Sequence, residues 1–413
     1  MCSHLPPALW GTSRQPRRGG EQQHESRTKY RASRINTTSC RLNEDLVYRR
    51  NSPMRTTPLR ASAALGSIAV LVALAGCSTS PATAEATDGT TLIGGSTEYP
   101  LTVDNCGFEQ TFETAPSRVV LLNGASVAEV ESLLLLGLGD TVLANTQNYG
   151  MSDQPELVEQ IDALPTGDLE MAGSFEIPAE QLLALKPDLV IATTSGGFDP
   201  DSGQSSRDEL AAAGIKTIVN PANCAMGKED ATTAEQDAFD NATVESSFGL
   251  LNLIGNVFDR QDEADSLVTG LRAQIDAVSA AVEGREKPNG LIVFPGMSMM
   301  TPNGMPAVFL GGIFDDVLTR AGVGGALDGQ GLDFTSSIDA EQLAAADVDI
   351  LVVGGFMRDE DLDAEAAALF AEYPQWDAAK NNKYVTVSDG VYVGPTNAAA
   401  VTKIAQAAHP DAF

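Results

Sequence analysis

The 413 residues carry 26 Lys and Arg against 56 Asp and Glu, a formal net charge of −30. Twelve of the bases but only four of the acids precede Cys77, so the part from Cys77 onward holds 52 acids and 14 bases, a net charge of −38. So acidic a surface repels nucleic acid and anionic lipid, which excludes a nucleic-acid partner, and it reads as a solvated skin that favours solubility.

In chain order, residues 1–53 are polar, rich in Arg and Ser, and lack a period long enough to build a core. They are expected to stand outside the fold, either because Met54 is the functional start or as a disordered tail. Residues 54–76 read as an export signal: Arg55 and Arg60 give a basic start, and Ala61 to Ala73 is an apolar core too short to stay in a bilayer. Its end, Leu74-Ala75-Gly76-Cys77, resembles the lipobox of bacterial lipoproteins. That resemblance implies a lipid-modified Cys77 at the start of the mature chain, anchored on the extracytoplasmic face of the cell membrane. Each buried CH2 of such a chain contributes ~0.8 kcal/mol. Residues 77–98, rich in Ser, Thr, Ala and Gly, form a tether. Beyond Cys77 two cysteines remain, Cys106 and Cys224; in an exported chain they suggest a disulfide, with two free thiols as the alternative.

Residues 99–228 alternate short β-branched runs (119–123, 142–146, 188–194, 216–220) with helical patterns (125–136, 178–186, 208–213), which predicts an α/β lobe on a parallel sheet. From 229 to 284 strand signals stop. Phe248, Leu251, Ile254, Val257, Phe258, Leu267, Leu271, Ile275 and Val278 recur at helical spacing, predicting one long linker helix with a break near Asp259 to Gln261. In 285–413 the rhythm resumes with strands at 291–294, 350–353, 384–387 and 391–393 and helices near 313–321, 340–346 and 397–408. The fold class is therefore α/β: two Rossmann-like lobes joined by a single long α-helix, with a ligand cleft between them.

Tyr99 to Val120 (YPLTVDNCGFEQTFETAPSRVV), Glu131 with LLLLGLGD, Gly173 to Ile191 (GSFEIPAEQLLALKPDLVI), Ser337 to Val353 and the ending Ala408-His409-Pro410-Asp411 resemble the iron-siderophore and vitamin B12 substrate-binding proteins of ABC importers. The resemblance spans 99–413. It implies one rigid helix between lobes, partners in an ABC permease and its ATPase subunits, a monomer, and no cofactor of its own. Cys106 with Cys224 resembles the pairing of the actinobacterial branch. Glu131 on the first lobe and Asp316 (or Asp315) on the second correspond to surface carboxylates that dock on the permease.

Open parallel sheets bind ligands at the carboxyl ends of their strands, so the loops after the strands supply the candidates: Asn123, Tyr149, Phe175, Phe198, Met297, Met300, Phe356 and Arg358. Arg358 stands to clamp an anionic ferric chelate or to pair with Asp359, Glu360 or Asp361. Met297, Met299, Met300 and Met305 suit an apolar macrocycle, haem iron or copper, or plain core filling. Trp376 reads as packing. One histidine, His409, follows Cys77, so neither an imidazole triad nor a His-cluster metal site is read, and bare manganese or zinc is disfavoured. There is no G-x-S-x-G elbow; Ala222 breaks a phosphate loop before Gly227-Lys228, and Val142 a dinucleotide fingerprint after Gly137-Leu138-Gly139. The reading is a lipid-anchored receptor for a Fe(III)-siderophore, with no enzyme activity. Cobalamin or haem in the same fold is the alternative, and a secreted hydrolase-like lipoprotein the rival from another class.

Overall fold

Runs of Val, Ile and Leu that are apolar on both sides build sheets covered on two faces, and the period of two along each strand sorts their side chains between two cores. The structure, a computed structural model, describes residues 95–122, 126–147, 150–169, 177–301, 304–330, 337–358 and 360–413, without the side chains of Ser202 and Met300. The signal, Cys77 and most of the tether lie outside the described residues, all of which belong to the unit Ala82–Phe413.

A hairpin of β1 (Leu101–Asn105) and β2 (Phe108–Phe112) comes first. Then come β3 (Val119–Leu121), α1 (Val127–Leu135), β4 (Val142–Asn145), α2 (Pro155–Ala163), α3 (Ala179–Ala184), β5 (Leu189–Ala192), α4 (Arg207–Ala212) and β6 (Lys216–Val219). The four strands from β3 to β6 form a parallel sheet in the order β4-β3-β5-β6. The second lobe holds β7 (Asn289–Phe294), β8 (Ala307–Phe309), α8 (Gly312–Arg320) and β9 (Gly324–Gly325). It continues with Ala340–Ala345, β10 (Ile350–Gly354), Leu362–Glu372, Asp377–Asn381, β11 (Tyr384–Val387) and the closing helix Asn397–Ala408. Its sheet runs β11-β10-β7-β8, with β9 beside β7 and only β8 antiparallel among these strands.

Val119 and Leu121 of β3, and Ile350 and Val352 of β10, enter one inner core that extends through both lobes. Their alternates, Val120 and Leu122 or Leu351 and Val353, enter separate outer cores. Trp376 fills the second outer core as expected, stacked 4.5 Å from Tyr373 and donating Nε1 to the Leu343 carbonyl at 3.1 Å.

Between the lobes the single helix does not form. Residues 229–284 make α5 (Thr233–Asp240), α6 (Val244–Val257) and α7 (Gln261–Val282). The first break follows from Thr243, whose N–H donates to Ser246 Oγ (3.1 Å) as α6 starts, while Val244 N–H donates to Asp316 Oδ2 (2.9 Å). The second falls where a break was expected: Asp259 takes φ of +56°, and the chain folds back so that Gly255 lies against Ala264. The expected strand at 391–393 is also absent. A 3-10 turn, Asp389–Val391, stands there, because Gly390 brings the chain against Ala400 and the Thr396 carbonyl, too near to continue a sheet.

The hairpin closes an edge. Cys106 and Gly107, at φ of +60° and +75°, make its two-residue turn, the geometry that matches strand twist. Asn105 Nδ2 and Oδ1 bind the carbonyl and N–H of Val219 (2.9 and 2.8 Å), and Gln110 Nε2 and Oε1 do the same for Thr217. Two side-chain amides thus satisfy the outer edge of β6, which would otherwise invite another strand. Arg207, buried enough that its pKa falls to about 10, ties the Asn105 carbonyl (2.7 Å) to Thr217 Oγ1 (2.8 Å). The disulfide Cys106–Cys224, with Cα atoms 5.1 Å apart, pins the turn.

Candidate functional site

The carboxyl ends of both sheets face each other. Gly150 N–H, after β4, donates to the Phe356 carbonyl after β10 (3.1 Å), and Asp389 N–H, after β11, donates to the Met151 carbonyl (3.2 Å). Glycine is required on this seam: a Cβ at Gly150, itself at φ of +72°, would lie 2.6 Å from Asp389 Oδ1, and one at Gly394 would lie 2.7 Å from Ala128 Cβ. Ion pairs Lys403–Asp153 and Arg358–Asp162 cross it.

A cavity of about 180 Å³ lies within the seam. Ser126, Thr193, Asn223 and Met226 line it from the first lobe, and Phe239 from α5. The second lobe contributes Phe309, Phe314, Asp389 and Tyr392. Phe309 stacks on Phe314 at 4.8 Å, and Tyr392 meets both edge-on at 5.5 and 5.4 Å. Asn397 holds this wall in place, donating Nδ2 to the carbonyls of Gly390 (2.6 Å) and Tyr392 (2.7 Å) and accepting from Ser247 Oγ (2.5 Å).

Behind the polar side sits a buried group of carboxylates. Ser126 starts α1, its Oγ accepting from Ala128 N–H (3.2 Å) and its own N–H donating to Glu129 Oε2 (3.0 Å), a reciprocal cap. Glu129 also accepts from Ser126 Oγ, Thr193 Oγ1 and Asn220 Nδ2. Burial raises its pKa and these donors oppose the rise. Burial likewise pushes Glu131 up to about 7, against hydrogen bonds from Ser152 and Thr396 and with the charges of Asp153 and Glu129 adding to the rise. Asp389 is pushed well above the usual carboxylate range, first by complete burial and then by Glu131, Glu129 and Asp153. Its Oδ2, like Glu131 Oε1, has no hydrogen-bond partner among the described residues.

The sequence-predicted residues fare unevenly. Asn123, Tyr149, Phe175 and the side chain of Met300 lie outside the described residues. Phe198 is not in the cleft: only 4% exposed, it packs in the outer core of the first lobe with Leu210 and Ile215. Met297 packs against the inner core and accepts a hydrogen bond from Tyr392 (3.6 Å), whereas Met305 joins the second outer core and Met299 is exposed, so these three methionines do not gather. Phe356 lies on the seam through its carbonyl. Arg358 is exposed and pairs with Asp162 of the opposite lobe; of its acidic neighbours, Glu360 and Asp361 do not pair with it and Asp359 lies outside the described residues.

Glu131 is corrected most. It is 0% exposed and accepts from Thr396 Oγ1 (3.3 Å), because the first two turns of α1 are held between the first sheet and the loop after β11. A carboxylate so enclosed cannot meet a permease surface. Asp316 is also engaged, its Oδ2 accepting from Val244 N–H and from Arg320 Nε (both 2.9 Å). Asp389, Thr193 and Ser126 were missed, although all three follow strand ends where the chemistry was expected; reading 391–393 as a strand left Asp389 between two expected strands.

Among the described residues no group of His, Cys, Asp and Glu is placed to hold a metal ion, and no helix is long and apolar enough to cross a membrane. Proteins of curated function give no match to the sequence. Solved structures share the fold. A periplasmic binding protein from Veillonella parvula dsm 2008 is 16% identical with a TM-score of 0.57, over 75% of this chain and 97% of that one. An ABC-type Fe3+-hydroxamate transport system structure from Saccharomonospora viridis DSM 43017 is 22% identical with a TM-score of 0.54, over 75% and 99%. A periplasmic heme binding protein from Pseudomonas aeruginosa is 22% identical with a TM-score of 0.50, over 72% and 94%. Two lobes closing over a cavity at facing strand ends are the architecture of a receptor that captures a solute, and the sequence matches the corresponding family over residues 119–391, more than half its length: the chain belongs to the periplasmic binding proteins, substrate-binding components of transport systems and not enzymes.

Proposed function

We propose that this protein is a lipid-anchored receptor, held at Cys77 on the extracytoplasmic face of the membrane, that captures a ferric siderophore between its lobes and delivers it to an ABC permease. The cavity between facing strand ends carries the reading, since it draws its lining from both lobes and so couples occupancy to closure. The fold shared with the Saccharomonospora Fe3+-hydroxamate system supports the ligand class. At about 180 Å³ the closed cavity is smaller than the roughly 300 to 1,000 Å³ of ordinary ligand sites, so uptake of a chelate requires the seam to part. The lipobox string supports the anchor. Permease docking falls to surface carboxylates other than Glu131.

Fluorescence titration with ferric hydroxamates, ferric catecholates, cobalamin and haem tests the ligand. Saturable quenching by a ferric siderophore at micromolar concentration or below is expected. Quenching by cobalamin or haem alone replaces the ligand, and turnover of any added compound overturns the receptor reading. Radiolabelled palmitate incorporated into the wild-type chain but not into Cys77→Ala tests the anchor.

A further inference from the structure

We propose that the interlobe cavity recognises a protonated amine, so that the ligand presents an organic ammonium group to Asp389. The inference rests on the cavity being the ligand site and narrows what enters it. Asp389 lines the cavity, is 2% exposed, and leaves Oδ2 without a hydrogen-bond partner among the described residues. A buried oxygen left unmatched costs its full desolvation, so a polar group is retained there at a loss that a bound donor would recover.

The charge around it points the same way. Glu129 and Glu131 stand behind Asp389, and among the described residues no Lys, Arg or His pairs with any of the three. Lys403, which reaches the edge of this group, is taken by Asp153. Among the described residues the cavity lining contains no cationic side chain. An anionic chelate would therefore meet no counter-charge, whereas an ammonium supplies the missing donor and, by favouring the ionised form of a carboxyl that burial holds toward its neutral form, gains a charged partner.

The opposite wall fits the rest of such a ligand. Phe309, Phe314 and Tyr392 form a fixed aromatic surface, joined by Phe239. Aromatic faces attract a desolvated cation and accept apolar carbon beside it. Thr193 and Ser126 are held by Glu129, which fixes the polar side before a ligand arrives. The volume of about 180 Å³ suits a compact amine, or the ammonium arm of a larger chelate once the seam parts.

Calorimetric titration of the protein with phenethylamine and with its neutral isostere phenethyl alcohol, at neutral pH, tests this. The amine is expected to bind about ten-fold or more tightly, a preference that Asp389→Asn abolishes. Equal binding of the two, no binding of the amine, or a preference that survives in Asp389→Asn overturns it, and the wild-type comparison alone decides should the variant fail to fold. A ferric trihydroxamate titrated alongside reports on the chelate reading separately. Its binding, with amine and alcohol indistinguishable, leaves that reading standing and removes this one; amine selectivity without chelate binding does the reverse.

Discussion

Glu131→Gln turns a buried carboxylate into a neutral isostere that can still accept from Thr396. Burial raises Glu131 from 4.5 to about 7 in the folded chain, so the folded state binds its proton more tightly than the unfolded state does. Stability from this group is then fully present below pH 4.5, is lost as pH rises to about 7, and changes no further above that. Complete enclosure removes solvent screening, and the shift corresponds to about 3 kcal/mol. Urea unfolding followed by circular dichroism at several pH values between 4.5 and 7.5 should show the wild type losing about that much more stability than Glu131→Gln across the interval. Removing the Glu131 charge also relaxes Asp389, which adds in the same direction. Parallel pH profiles for the two proteins would refute the buried-carboxylate account of the seam.

Three other outcomes are expected. Cys106→Ser with Cys224→Ser opens a loop set by a separation of 118 residues; in the chain-entropy model this costs about 5 kcal/mol, read as a lower urea midpoint. Gln110→Leu leaves the Thr217 N–H unmatched beside β6 and its carbonyl with only Arg207 Nη2 (3.3 Å), for about 1 to 3 kcal/mol in thermal or urea unfolding, and an unchanged midpoint would remove the amide pair from the stability of that edge. Gly394→Val drives side-chain carbon into Ala128, where a Cβ alone would come within 2.7 Å; the lobes should part, with a larger radius of gyration by X-ray scattering, and an unchanged radius would show that the loop yields instead.

Most of the scaffold could be read from the chain because its strands are short, β-branched and apolar on both faces, which few other settings tolerate. Val119, Val190 and Ile350 announce themselves in this way. The hairpin did not, since Leu101 to Phe112 alternates only weakly and owes its place to Asn105 and Gln110 reaching across to β6, a pairing without local periodicity. The long linker was over-read for a related reason: helical spacing persists through Thr243 and Asp259, and only a cap and a left-handed residue mark the breaks. At the site, the rule that ligands sit beyond strand ends located the right region but chose the large side chains. Phe198 follows β5 yet turns outward, whereas Thr193 and Asp389, small and polar, face the cavity. Which carboxylates a helix buries depends on what the other lobe lays over it, and nothing in the spacing of Glu129 and Glu131 carries that information.

The inner core that passes without interruption from Val119 to Ile404 has a consequence for engineering. Neither half of this protein is a module in its own right. A chimera joined at the boundary between them would strip α6, α7 and the closing helix of neighbours they share, and would bare oily surface on both fragments. Grafting a new specificity should therefore replace cavity-facing loops and leave the central helices whole.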